Sequence, residues 1–428
     1  MYNYEPENPK FGHRRAYNKP MRIAASILLA AAVVGTAQQR RPVTDAMVGE
    51  VQRSAILIDT HNDLPSHTID GFDIGKRAPE GDKRASERDK RATEGDKRAP
   101  ERDNRSPEGP HVGHTDIPRL REGGLGAVFF AAYVAANYAK DRTAAHRALD
   151  MIDTIRHDIV AQHPGDFVFA TSAAEIEAAH RQGKIAALIG LEGGHALEDD
   201  PRVLRDFYAL GVRYVTLTHT NTNNWADSSG DITDRTVKHH DGLTPLGRQM
   251  IAAMNQMGMM VDISHVSDKT FWDVLEVAKA PPIASHSSCR ALSNVPRNMT
   301  DEMIVALAKM GGVIQINFDC EFLSQKTADA LRAARAKGSK APPELPATLA
   351  DVVEHIDHVV HIAGIGAVGI GSDFDGVPCT PTGLEDVSKF PNLTRALLEK
   401  GYTPDDIRKI YGGNTLRLMR AVESARKE

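Results

Sequence analysis

Residues 185–195 read IAALIGLEGGH, an apolar run that ends on a carboxylate, two glycines and an imidazole. An uncharged run of this length suits a strand buried on both faces, and such strands belong to parallel sheets covered by helices. Seven further stretches have the same character, at 56–59, 126–130, 213–218, 259–263, 282–285, 312–317 and 367–371. Amphipathic patterns at 142–162, 201–210, 245–257, 268–279, 301–310 and 349–363 predict the intervening helices. Eight such units predict an α/β fold, a (β/α)8 TIM-like barrel, with a doubly wound open sheet as the alternative.

Ionisable and polar residues cluster where these runs stop. The first run leads into Thr60-His61-Asn62-Asp63 and the third into Glu192-Gly193-Gly194-His195, and the later ones end at His219, His265, His286, Asn317 and Asp373. In a barrel the C-terminal ends of all strands meet at one mouth, so these residues converge although they are far apart in the chain. Singly none is diagnostic, since a histidine after an apolar strand is more often a hydrogen-bonded structural residue. Together, imidazoles and carboxylates at one mouth predict a metal site. His61 and Asp63 are two apart in an extended segment, so both side chains can reach one ion. Nitrogen and oxygen donors without cysteine suit catalytic zinc. The donor set exceeds the needs of one tetrahedral ion, which predicts two Zn2+ per chain sharing Glu192, with a metal-bridging hydroxide as nucleophile.

The remaining features bound the answer. The chain has 428 residues, 41% of them hydrophobic, and a formal net charge of -5. That charge offers no basic surface for a polyanion, so a nucleic-acid partner is not expected. A basic stretch at 10–22 leads into an apolar run at 23–37 that is too short to span a membrane comfortably. It reads as a signal peptide over 1–37, which predicts an exported, periplasmic or secreted protein with one barrel domain over 38–428. The charged end at 424–428 carries no hydrophobic tail, so no stable membrane anchor is expected after cleavage. Cys289, Cys320 and Cys379 are odd in number and have no zinc-site spacing, so three buried or half-buried thiols are expected. From Arg77 a seven-residue unit repeats as RAPEGDK, RASERDK, RATEGDK, RAPERDN and a truncated RSPEGP. It has no apolar seam and is interrupted by Pro and Gly, so 76–110 is expected to be a solvated, disordered insertion rather than a coiled coil.

Several segments resemble the membrane (renal-type) dipeptidase family, the M19 peptidases, over most of the chain from 56 to 419. They are IDTHNDLP (58–65), HTDIPRLREGGLGAVFF (114–130), LIGLEGGHAL (188–197), LTHTNTNNWAD (217–227), VDISHVSD (261–268), ASHSSCRAL (284–292), VPRNMTD (295–301), GIGSDFDGV (369–377) and GGNTLR (412–417). The resemblance implies metal ligation by His61, Asp63, Glu192, His265 and His286, and substrate contacts by His219, Arg297 and Asp373. It also implies a dipeptide substrate, with tolerance of a D-residue at its C-terminal position. These roles agree with side-chain chemistry. His219 can stabilise an oxyanion, Arg297 offers a planar fork for a carboxylate, and Asp373 can hold an ammonium and carry a proton. Asp375 is the rival for that last role. The repeats interrupt the pattern between 65 and 114, where the family has no such insertion.

The sequence therefore predicts a zinc-dependent dipeptidase. Within enzymes, the alternative is a metal-dependent amidohydrolase acting on a cyclic amide or an N-acyl amino acid. A binding protein that keeps the pocket without turnover is disfavoured by the complete ligand set and Asp373. Monomer and homodimer are both open.

Overall fold

The computed structural model describes residues 42–78, 113–140, 142–338 and 346–426. The expected export segment at 1–37 and the repeat residues from 79 to 110 lie outside the described residues. Among the described residues the strands are β1 (Leu57–Asn62), β2 (Leu125–Tyr133), β3 (Phe167–Phe169), β4 (Ile185–Glu192), β5 (Val212–Thr216), β6 (Met260–Asp262), β7 (Ile283–Ser287), β8 (Val313–Ile316) and β9 (Val368–Ile370). Every pairing between them is parallel, and β4 joins β2 in register from Ala127 opposite Ala186 to Tyr133 opposite Glu192. The order then runs through β5, β6, β7, β8 and β9 to β1, which returns to β2. A closed eight-stranded barrel results, and the open-sheet alternative is excluded. Strand β3 pairs only with Ile185–Ala187 at the start of β4 and stands outside the ring.

Burial explains why these runs became strands. In β4, Ile185, Ala187, Ile189 and Leu191 join the apolar layer beneath the helices, while Ala186 and Leu188 join an inner cluster with Ile58, Phe129 and Tyr214. The same alternation turns Gly190 and Glu192 towards the barrel axis. The interior is closed at the strand N-termini by Leu416, Leu418, Met419 and Val422 from the C-terminal helix. All eight expected runs coincide with barrel strands, and the helices at 201–210, 245–257 and 349–363 match residue for residue. The pattern at 142–162 divides into an α-helix, Ala144–Asp153, and a wider π-helical segment, Thr154–Ala161. Among the described residues no helix is long and apolar enough to cross a membrane.

One expectation needs correction. Cys320 and Cys379 are not thiols; they form a disulfide across 59 residues of sequence, with Cα atoms 5.6 Å apart. Neighbouring strands in the barrel bring their exits together, and these cysteines follow β8 and β9, which pair. Only Cys289 stays free, and its burial pushes the thiol pKa far up. Of the expected insertion at 76–110, residues 76–78 are described. Arg77 pairs with Glu122, and the buried Ala78 donates its N–H to Asp116 Oδ2 at 2.9 Å.

Candidate metal centre

Glu192, at the exit of β4, is buried at the focus of four imidazoles. His265, His286 and His219 place Nε2 at 3.1, 3.5 and 3.6 Å from its Oε1, and His61 Nε2 lies 3.7 Å from Oε2. His61 also approaches Asp63 Oδ2 at 3.4 Å and Asp373 Oδ1 at 3.9 Å. Three sets of donors lie close enough to hold an ion: His61, Glu192 and His286; Glu192, His219 and His265; and His61, Asp63 and Asp373. All eight residues to which the resemblance assigns a role meet at this mouth, with Arg297 on its rim beside His286.

The imidazole orientations are set from behind. Tyr214 donates its O–H to the Thr60 carbonyl at 3.0 Å, so its oxygen accepts from His61 Nδ1 at 2.9 Å and the Nε2 lone pair is left for the centre. The Ser285 hydroxyl donates to Asp262 Oδ2 at 2.6 Å and accepts from His286 Nδ1 at 2.7 Å, with the same result. Asp262 is held in turn by the N–H groups of Ser264 and Ser285.

The charge balance of this cluster calls for cations. His61 Nε2, both oxygens of Asp63 and Glu192 Oε2 are buried without a hydrogen-bond partner. His265 and His286 turn their Nε2 atoms towards each other at 2.9 Å. For His61, burial opposes protonation but Glu192 and Asp63 outweigh it and raise its pKa to about 10. Burial, reinforced by Arg297, pushes His265 down to about 3, and burial with His61 depresses His286. Buried nitrogen and carboxylate oxygen atoms left without partners around one shared carboxylate fit divalent cations. The ligand form of histidine is neutral, and a cation satisfies every orphaned atom at once.

The groups expected to meet substrate are also anchored. Arg297 donates from Nη1 to Ser287 Oγ at 2.8 Å and from Nη2 to the His286 carbonyl at 2.6 Å, while its buried Nε is unpartnered. Burial lowers its pKa to about 10, which leaves it charged at neutral pH. Asp373 accepts from Asn317 Nδ2 at 2.8 Å. Asp375 turns away, accepting from the His114 N–H at 2.6 Å and donating its own N–H to His114 Nδ1 at 2.9 Å. The geometry therefore gives the position beside His61 to Asp373 rather than to its rival. His265, Asp373 and Asp375 all adopt left-handed backbone, with φ of 67°, 62° and 68°.

Sequence reasoning missed the supporting residues Tyr214, Asp262, Ser285, Asn317 (noted only as a strand end), Gly190 and Gly376. Asp262 and Ser285 had a signal, since each is a polar residue inside an otherwise apolar strand. The glycines had none. A Cβ at Gly376 would lie 2.1 Å from Asp63 Oδ2 and 2.4 Å from Asp373 Oδ1, and one at Gly190 would lie 1.9 Å from Tyr214 Cζ. Gly190→Ala must move the ring that orients His61. We expect a loss of about 1–3 kcal/mol of stability and a roughly ten- to hundredfold weaker metal affinity. Competition with a zinc chelator checks this, and unchanged affinity would remove Tyr214 from the account.

Comparison with known proteins adds three findings. A family model described as membrane dipeptidase (peptidase family M19) matches residues 46–428. Dipeptidase verJ of Clonostachys rogersoniana is 39% identical over 321 residues, covering 73% of this chain and 76% of its own. Among solved structures, the probable dipeptidase PvdM from Pseudomonas aeruginosa superposes with a TM-score of 0.71 at 25% identity, over 89% of this chain and 98% of that one. A metallo peptidase from Rhodobacter sphaeroides, liganded with a phosphinate mimic of the dipeptide L-Ala-D-Ala, gives 0.67 at 25% identity, over 86% and 99%.

Proposed function

Because the chain belongs to the membrane dipeptidase family, peptidase family M19, and is a metallo-dipeptidase, we propose that it holds two zinc ions and cleaves dipeptides, including those with a C-terminal D-residue. The observation that carries the two-ion reading is Glu192, whose two oxygens face His265, His286 and His219 on one side and His61 on the other. The all-nitrogen-and-oxygen donor set supports zinc. The bound Rhodobacter ligand supports the substrate class, since it mimics a dipeptide with a D-residue at that end.

When bound, the ions supply Lewis-acid polarisation of the scissile carbonyl and a water nucleophile at neutral pH. The chain's own residues do the rest. Arg297 receives the free carboxylate of the dipeptide on its planar guanidinium, and its neighbours Ser287 and His286 hold that plane. His219, edge-on to Tyr133 with ring centroids 5.0 Å apart, is placed to donate to the oxygen that gains negative charge as the carbonyl carbon becomes tetrahedral. Asp373 pairs with the substrate ammonium, takes the proton released by the attacking water, and delivers it to the amide nitrogen as the C–N bond breaks. One proton moves from water to leaving group, and the products are two amino acids.

Export is part of the proposal. The basic and apolar succession over 10–37 supports a signal peptide, and the Cys320–Cys379 bond suits an oxidising compartment.

The test is elemental analysis of the purified chain alongside a panel of L,L and L,D dipeptides. We expect about two zinc ions per chain, hydrolysis that disappears on chelation, and recovery on zinc addition. One tightly held ion with full activity would sink the two-ion reading, and no turnover on any dipeptide would sink the substrate assignment.

A further inference from the structure

After β8 the chain makes one short turn of helix, Cys320–Leu323, before the helix Gln325–Ala336 begins. Its backbone is held from several directions. Ser293 Oγ donates to the Glu321 carbonyl at 2.7 Å, Asn298 Nδ2 to the Phe322 carbonyl at 2.8 Å, and His355 Nε2 bonds the Leu323 carbonyl at 3.0 Å. Cys320 adds a covalent tie to Cys379 and a backbone bond from its N–H to the Cys379 carbonyl. Three successive carbonyls on separate partners, with a cross-link at the first residue, leave this turn little freedom to rotate.

The turn presents the Phe322 ring to the Arg297 guanidinium, whose Cζ lies 5.6 Å from the ring centroid. The Nη contacts to Ser287 and His286 constrain one edge of that group, and the cation–π attraction of the Phe322 ring favours keeping its charged carbon over the ring. At the other end of the segment, the Asp319 N–H donates to Asn317 Oδ1 at 2.6 Å, which orients the amide so that Nδ2 reaches Asp373. One short stretch therefore touches the group assigned to the substrate carboxylate and the group assigned to its ammonium.

We propose that residues 317–323, locked by the Cys320–Cys379 disulfide, form a positioning element that presets both charged ends of the dipeptide site. Phe322 holds Arg297, Asn317 holds Asp373, and the disulfide holds the turn that carries Phe322. The proposal rests on the reading that Arg297 binds the substrate carboxylate. It predicts that Phe322 and the cross-link act on substrate capture more than on bond cleavage.

Steady-state kinetics on zinc-loaded enzyme test it, using one dipeptide as free acid and as C-terminal amide, with zinc content measured for every variant. Phe322→Leu keeps apolar volume but removes the aromatic face. It is expected to raise KM for the free acid about three- to tenfold, with kcat changed less than about twofold and no matching shift on the amide. Phe322→Tyr restores the wild-type KM, and the Cys320→Ser/Cys379→Ser double variant shifts KM in the same direction as Phe322→Leu. Arg297→Ala is run beside them and is expected to cost the free acid alone about ten- to hundredfold in kcat/KM. If Arg297→Ala is selective for the acid while Phe322→Leu and the double variant leave KM unmoved, or only lower the melting temperature, the positioning role is overturned and the carboxylate reading stands. If Arg297→Ala damages acid and amide equally, the carboxylate reading itself is wrong and the proposal falls with it.

Discussion

Glu192→Gln is expected to reduce kcat/KM by about a thousandfold or more and to lower zinc occupancy at both positions together. The side chain is 2% exposed and lies within 3.7 Å of four imidazole nitrogens. Glutamine keeps its shape but has no charge, and it turns an N–H2 towards at least one nitrogen lone pair. Burial alone would protonate this carboxyl, yet His219 and His61 hold it well below the ordinary carboxylate range, so it acts as an anion. Metal catalysis supplies several kcal/mol, and roughly 4 kcal/mol corresponds to about three decades in rate. Elemental analysis and a melting curve on the same sample separate this outcome from misfolding. A variant that retains two ions and melts like wild type would show that Glu192 does not join the two positions.

Asp373→Asn is expected to lower kcat by roughly a hundred- to ten-thousandfold, the range for loss of a general acid–base group, while zinc content is retained. Asparagine still accepts a hydrogen bond but cannot carry the proton to the leaving nitrogen. The control is Asp375→Asn, expected to change kcat by no more than about threefold. Asp375 Oδ1 accepts from the His114 N–H and the Asp375 N–H donates to His114 Nδ1, while the carboxylates close to His61 are those of Asp63, Glu192 and Asp373. A pre-steady-state measurement with both variants decides the matter. If Asp375→Asn is the one that abolishes turnover, the proton carrier has been misassigned.

The barrel was legible because its strands are buried on both faces, and continuous apolar runs such as IAALIGL cannot be surface loops. Strand β3, three residues long and only partly buried, left no such run and passed unnoticed. The metal-binding candidates were legible because imidazoles and carboxylates follow several buried strands at once, and the exits of those strands meet at one mouth of a barrel. What could not be read is contact made across the ring. Tyr214 meets His61 from a strand 153 residues away, Gly190 makes room for that ring, and Gly376 makes room for Asp63 and Asp373. The disulfide was hidden for the same reason, since pairing depends on β8 and β9 being neighbours and no spacing of cysteines announces it.

The left-handed backbone at His265, Asp373 and Asp375 has a consequence for directed evolution of this enzyme. A residue bearing a β-carbon meets roughly 1–2 kcal/mol of steric opposition in that conformation, and glycine meets almost none. Selection on heat resistance alone would thus favour glycine at 265 and 373, and each such gain would delete the imidazole proposed as a metal ligand or the carboxylate proposed as the proton carrier. Durability and turnover are opposed at individual positions of this rim, so a library screened for one without the other would converge on a sturdier, inert barrel.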